Sequence, residues 1–242
     1  MRTIDLTLEI RPGMMGHPHF AVHRRNPVKL EVIGGSEQQL AFLEAQGASI
    51  AGDADRQHRA MVSRLQIDTH SGTHIEAPAH FIYQGMTVDK IPLEKLVGEA
   101  VVIDMTGKGA DQGISAADLE RSGTSIGKGE IAIVRTDWAE KMYGKPGFWE
   151  QIPYFEPDVA DWFIEREVAA VACDCYNDLA LHRRENVTGP LNHAKFLGHG
   201  IVLIENITNL SQLRKQRVKL VALPLKLVLA EASPARVIAI EE

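Results

Sequence analysis

Between residues 70 and 80 the chain reads His70-Ser-Gly-Thr-His74-Ile-Glu76-Ala-Pro78-Ala-His80, which puts three of its ten histidines and one carboxylate into eleven residues. This string restricts the backbone more than any other part of the chain. Gly72, the β-branched Thr73 and Ile75, and Pro78 all oppose a helix through it, because proline removes a donor and restricts the residue before it. An extended strand is the reading that remains. His70, His74, Glu76 and His80 all carry even numbers, so extended backbone turns them to one side, with Ser71, Thr73, Ile75, Ala77 and Ala79 on the other. Full extension would also place the Cα atoms of His70 and His74 ~13 Å apart, too far for one ion with bonds of ~2.0–2.2 Å. A bend at Gly72, or two separate ions, resolves the conflict, and the bend is the first expectation.

Around this segment the pattern is that of a mixed α/β chain. Residues 2–10 alternate Ile4, Leu6, Leu8 and Ile10 with polar residues, as a half-buried strand does. Further short, β-branched runs at 62–69, 100–105, 130–136, 168–174, 200–205, 219–222 and 235–240 read as strands. Helices are expected at 37–46, 115–122, 157–167 and 188–197, with Ser115 at the start of the second, while 47–55 reads as loop. With 242 residues and no linker, repeat or low-complexity tract, the chain is read as a single domain, 1–242.

Composition excludes several classes of function. A net charge of −6 without any basic run gives no surface for nucleic acid or an acidic membrane. No run approaches the length of a membrane span, and charges interrupt the amino terminus where a signal peptide would be apolar, so a cytoplasmic protein is expected. Cys173 and Cys175, one residue apart, supply neither a disulfide framework nor a cysteine-rich zinc site.

Imidazole and carboxylate together suit Zn²⁺ or Mn²⁺, as one ion or two. A zinc-protease helix is ruled out because Ser71, not glutamate, follows His70. Gly123-Thr-Ser125-Ile-Gly127 has the serine-hydrolase spacing, but a helix precedes it and a strand follows, the reverse of what that nucleophile needs. Gly107-Lys-Gly109 lacks a correctly placed third glycine for dinucleotide binding.

The string from His70 to Phe81 resembles the signature of the cyclase-like metal hydrolases, the family that includes bacterial kynurenine formamidase and isatin hydrolase. The resemblance continues through 85–98, Arg135-Thr-Asp-Trp138, 204–210 and 222–226. It implies an α/β domain of mixed sheets with flanking helices, of the swivelling β/β/α type. It also implies a metal-dependent amidohydrolase in which His70, His74, Glu76, His193 and Glu205 bind the ion and His80 is the catalytic acid/base. His17, Pro18 and His19, in a proline-containing loop, would touch substrate, and the assembly would be a homodimer or homotetramer. One departure stands out, since the family usually has aspartate where this chain has Glu76. Asp174 is a further expectation, either orienting a ligand imidazole or capping a turn. The implied reaction is hydrolysis of an amide or lactam C–N bond in a small aromatic or cyclic substrate. A lactone hydrolase and a non-catalytic metal-binding protein are the alternatives.

Overall fold

The computed structural model describes residues 1–14, 27–55, 60–183 and 191–242. His17, Pro18 and His19 lie outside the described residues. Contacts divide the chain into two compact units, Met1–Leu8 with Gly72–Glu242, and Glu9–Ser71. Nothing in the composition marks either boundary.

The larger unit is built on one mixed sheet. Its strands are β1 (Arg2–Asp5), β2 (His74–Glu76), β3 (Val97–Asp104), β4 (Ile131–Arg135), β5 (Ala170–Cys173), β6 (Val202–Glu205), β7 (Arg217–Pro224) and β8 (Ala232–Glu241). The order is β1-β8-β7-β3-β4-β5-β6-β2, and β2 pairs again with β8, so the hydrogen bonding returns on itself. Strands β3, β4, β5 and β6 run parallel. Parallel neighbours need crossover connections. Helices α1 (Ala116–Arg121), α2 (Trp138–Met142), α3 (Val159–Glu165) and α4 (Asn192–Gly198) lie in those connections.

Because both faces of these central strands are covered, they read as continuous apolar runs instead of alternating ones. Ala100, Val102, Ile131, Ile133, Ala170, Ala172, Val202 and Ile204 pack into one core with Ile4, Leu6 and Ile75. Their neighbours Val101, Ile103, Ala132, Val134, Val171, Cys173 and Leu203 pack on the other face with Phe155, Phe163, Phe196 and Leu197. Phe196 is fully buried on α4, so Phe196→Ala is expected to cost about 3–5 kcal/mol. Denaturant unfolding at equilibrium would read that loss as a lower midpoint.

The strands expected in the carboxyl-terminal half are present within a few residues, and Ser115 caps α1 in a reciprocal capping box. The strand expected over 2–10 stops at Asp5, although Leu6 and Leu8 remain buried. Of the helix expected at 188–197, residues 188–190 lie outside the described residues and α4 begins at Asn192.

The smaller unit carries a three-stranded sheet in the order Ser49–Asp55, Lys29–Gly34, Val62–Gln66, with the helix Glu37–Ala45 packing Leu40 against Val32 and Ala48. Residues 49–55 were expected as loop and form a strand instead. Gly52 and three acidic or polar neighbours weaken the local signal, and parallel pairing with Lys29–Gly34 supplies the hydrogen bonds that local propensity does not. His70, half-buried, lies in this unit one residue before its end.

Candidate metal centre

The extended reading of residues 70–80 holds only at its middle. Gly72 takes φ +64°, a left-handed value that glycine adopts without steric cost, so the backbone bends where a bend is expected. Strand β2 then runs from His74 to Glu76, and Pro78 starts a 3-10 turn, Pro78–His80. A single straight face from 70 to 80 is therefore corrected: His80 arrives on a turn, because proline's fixed φ suits the first turn of a helix and not a continuing central strand.

Cross-strand register brings the carboxyl-terminal half to this segment. β2 lies antiparallel to β6 with His74 opposite Glu205 and Glu76 opposite Leu203. His74 and Glu76 share a face by the two-residue period, and Glu205 joins them from across the ladder. Leu203 lies on the face that α4 covers, and α4 delivers His193 to the same place. Thr73, on the alternate face, donates from Oγ1 to the Asn206 carbonyl at 2.6 Å and so ties the two strands together beside the site.

The resulting cluster is nearly sealed. His74, Glu76 and His193 are 2%, 2% and 6% exposed. His74 Nε2 stands 3.4 Å from Glu76 Oε1 and 3.6 Å from Glu205 Oε2. His193 Nε2 stands 2.9 Å from Glu205 Oε1 and 3.5 Å from Glu76 Oε2. His80 Nε2 lies 3.7 Å from Glu76 Oε1. Glu76 thus reaches all three imidazoles, and the longer side chain at this position fits the site.

Hydrogen bonds on the far side of each ring decide what it presents. His74 Nδ1–H donates to the Gly72 carbonyl at 2.9 Å, and His193 Nδ1–H donates to buried Asp178 at 2.6 Å. Both Nε2 atoms therefore turn toward carboxylates, where they carry either a proton or a lone pair. A lone pair facing a carboxylate repels it unless a cation stands between. Burial alone would lower the pKa of His74, but the hydrogen bond with Glu76 and the charges of Glu205 and Glu76 carry it above its ordinary value. His193 goes well above despite its burial, because Glu76, Asp178 and Glu205 surround it. The cluster concentrates negative charge and needs positive charge, from protons or from an ion that displaces them. Ligand atoms of Glu76, His193 and Glu205 lie within 4.8 Å of one another. Two imidazoles and two carboxylates at these separations are a donor set that fits a divalent cation.

Asp178 is the carboxylate that orients a site imidazole, a role considered in the sequence for Asp174. Asp174 is turned elsewhere: its Oδ1 accepts from the Thr136 backbone N–H at 2.8 Å and from Thr136 Oγ1 at 2.9 Å. It serves the turn that leads into α2, the second of its two expected roles. Asn177 also escaped the sequence reading, and its Nδ2 donates to Glu205 Oε1 at 3.0 Å. The one signal available was position, since both residues follow the carboxyl end of a parallel strand, where α/β sheets place their ligands. Asp178→Asn should weaken cation affinity about 10–100-fold, measured by titrating metal-stripped protein.

Burial pushes the Asp174 carboxyl up to about 6, with Asp137 adding to it and the Thr136 bonds opposing. The folded state therefore holds a proton that the unfolded chain releases near pH 4. The stability this gives is complete below about pH 4 and is lost as the pH rises through about 6. Asp174→Asn should flatten that fall by on the order of 2–3 kcal/mol between pH 4 and 7, read by denaturant unfolding at the two pH values.

Cys173 and Cys175 are buried free thiols, and Cys173 donates to Asn177 Oδ1. Among the described residues no helix is long and apolar enough to cross a membrane.

A mixed sheet whose hydrogen bonding returns on itself, with a buried His/Glu cluster against its helix-covered face, defines an α/β domain with a candidate metal centre. The cyclase family model, described as Putative cyclase, matches residues 4–177. The kynurenine formamidase of Bacillus cereus is 30% identical over 184 residues, covering 73% of this chain and 78% of that protein. The kynurenine formamidase of Salinibacter ruber is 29% identical over 178 residues, covering 72% and 77%. Among solved structures, isatin hydrolase A from Ralstonia solanacearum superposes with a TM-score of 0.79 at 25% identity, covering 99% of this chain and 92% of that one. The chain belongs to the cyclase family.

Proposed function

We propose that the chain hydrolyses an amide or lactam C–N bond in a small aromatic or cyclic substrate, using a divalent ion held by His74, Glu76, His193 and Glu205. The observation that carries this reading is the convergence of Glu76, His193 and Glu205 within 4.8 Å beside His80. Zn²⁺ and Mn²⁺ both suit the donors, as one ion or two, and the ligand role that the resemblance gives His70 stands as part of the proposal. Such an ion supplies a Lewis acid that polarises a carbonyl and acidifies water.

The chain's own residues then have defined tasks. Asp178 and the Gly72 carbonyl hold the two imidazoles with Nε2 inward. Asn177 holds Glu205. The His80 side chain is 28% exposed, open enough to meet substrate, whereas those of Glu76, His74 and His193 are 3%, 3% and 7% exposed. His80 takes a proton from the attacking water and returns it to the departing nitrogen, the kind of proton transfer for which imidazole is the commonest side chain in enzymes. No covalent intermediate on the protein is needed.

The amide reading is preferred over a lactone because the curated relatives are named kynurenine formamidase. A panel of N-formylkynurenine, an isatin-like lactam and an unsaturated lactone, assayed after chelation and after restoring Zn²⁺ or Mn²⁺, tests it. Turnover of the formamide or lactam is expected. Turnover of the lactone alone would replace the amide reading, and no metal-dependent turnover in any arm would favour a binding protein.

A further inference from the structure

The geometry points to Phe81 as the residue that selects for an aromatic ring beside the scissile bond, an inference that rests on the hydrolase reading and deepens it. Phe81 directly follows His80 at the end of the 3-10 turn, where its backbone N–H donates to the Pro78 carbonyl at 3.2 Å. Its ring meets that of His80 edge-on, centroids 4.7 Å apart at 84°, and tilts over His193 at 5.4 Å and 34°. Tyr176 stands 6.3 Å from the same imidazole. Phe81 thus touches both the proposed acid/base and a proposed ligand.

Despite these contacts Phe81 remains 43% exposed, although every residue from Ser71 to Pro78 is buried. A large apolar ring left open beside a polar reaction centre offers surface that a substrate ring bound there would cover. The turn that carries the ring is closely packed from below. A Cβ on Gly85 would lie 2.7 Å from the Pro78 carbonyl carbon and 2.8 Å from Ala79 N and the Ile82 carbonyl oxygen, so the segment after Phe81 packs directly under the turn that carries it. A flat ring on the substrate would gain offset or edge-on stacking there, at centroid spacings of about 4.5–7 Å. An aliphatic substituent would gain only ordinary apolar contact.

Steady-state kinetics of the metal-loaded enzyme with two formamides, formanilide and N-butylformamide, separate this role from its rivals. Phe81→Leu should raise KM for formanilide about tenfold while leaving its kcat within about twofold, with both constants for N-butylformamide within about twofold. Phe81→Tyr, which keeps the ring, should keep the wild-type KM for formanilide and guards against loss of fold in the leucine variant. Equal loss of kcat on both substrates would overturn the inference, because Phe81 would then only hold His80 in place. An unchanged KM for formanilide in Phe81→Leu would overturn it as well. If the wild-type enzyme cleaves neither formamide, an isatin-like lactam and an aliphatic lactam take their places in the same comparison; failure on these as well sinks the hydrolase reading and this inference with it.

Discussion

His80→Ala is expected to lower kcat by about 10²–10⁴-fold while the protein binds as much Zn²⁺ or Mn²⁺ as the wild type. The two halves of that expectation come from the same geometry. His80 Nε2 lies 3.7 Å from Glu76 but on a turn whose imidazole is partly open, outside the group formed by Glu76, His193 and Glu205. Removing it leaves both carboxylates and both buried imidazoles in place and takes away only the group proposed to move the proton. Turnover on the preferred substrate, with metal content by elemental analysis on the same preparation, reads both. Unchanged kcat would remove His80 from the mechanism, and lost metal would make it a ligand.

Glu205→Ala should have the opposite signature, with cation content and turnover falling together. Glu205 accepts from Asn177 and approaches both His74 and His193, so its loss removes a negative charge that the two imidazoles share. An outer partner such as Asp178 is expected to cost about 10–100-fold in cation affinity, and loss of a direct ligand should exceed that. Competition for the cation with a chromogenic chelator measures the difference. A Glu205→Ala protein with wild-type affinity would take Glu205 out of the ligand set.

Much of this centre was readable because its two halves follow simple periods. The bend at Gly72 followed from the length of extended backbone, and it is present as a left-handed φ. The shared face of His74 and Glu76 followed from the two-residue period of strands. Placing Glu205 opposite His74 could not follow from either rule, because it depends on the long-range register of β2 against β6; the family resemblance implied only that Glu205 joins the site. Asp178 was missed for a related reason. Its role depends on where α4 aims His193, and an aspartate after a buried strand looks locally like any turn residue, just as Asp174 does. The strand at Ser49–Asp55 was hidden because its neighbours, and not its own residues, supply its pairing.

Titration of metal-stripped wild-type protein with Zn²⁺ and with Mn²⁺, following bound cation and hydrolysis in the same samples, tests the central claim most directly. Cation bound by the cluster of His74, Glu76, His193 and Glu205 should restore turnover in proportion to occupancy, with protons released as the imidazoles give up their share of the charge. Stripped protein that retains full turnover, or that binds neither cation, would contradict it.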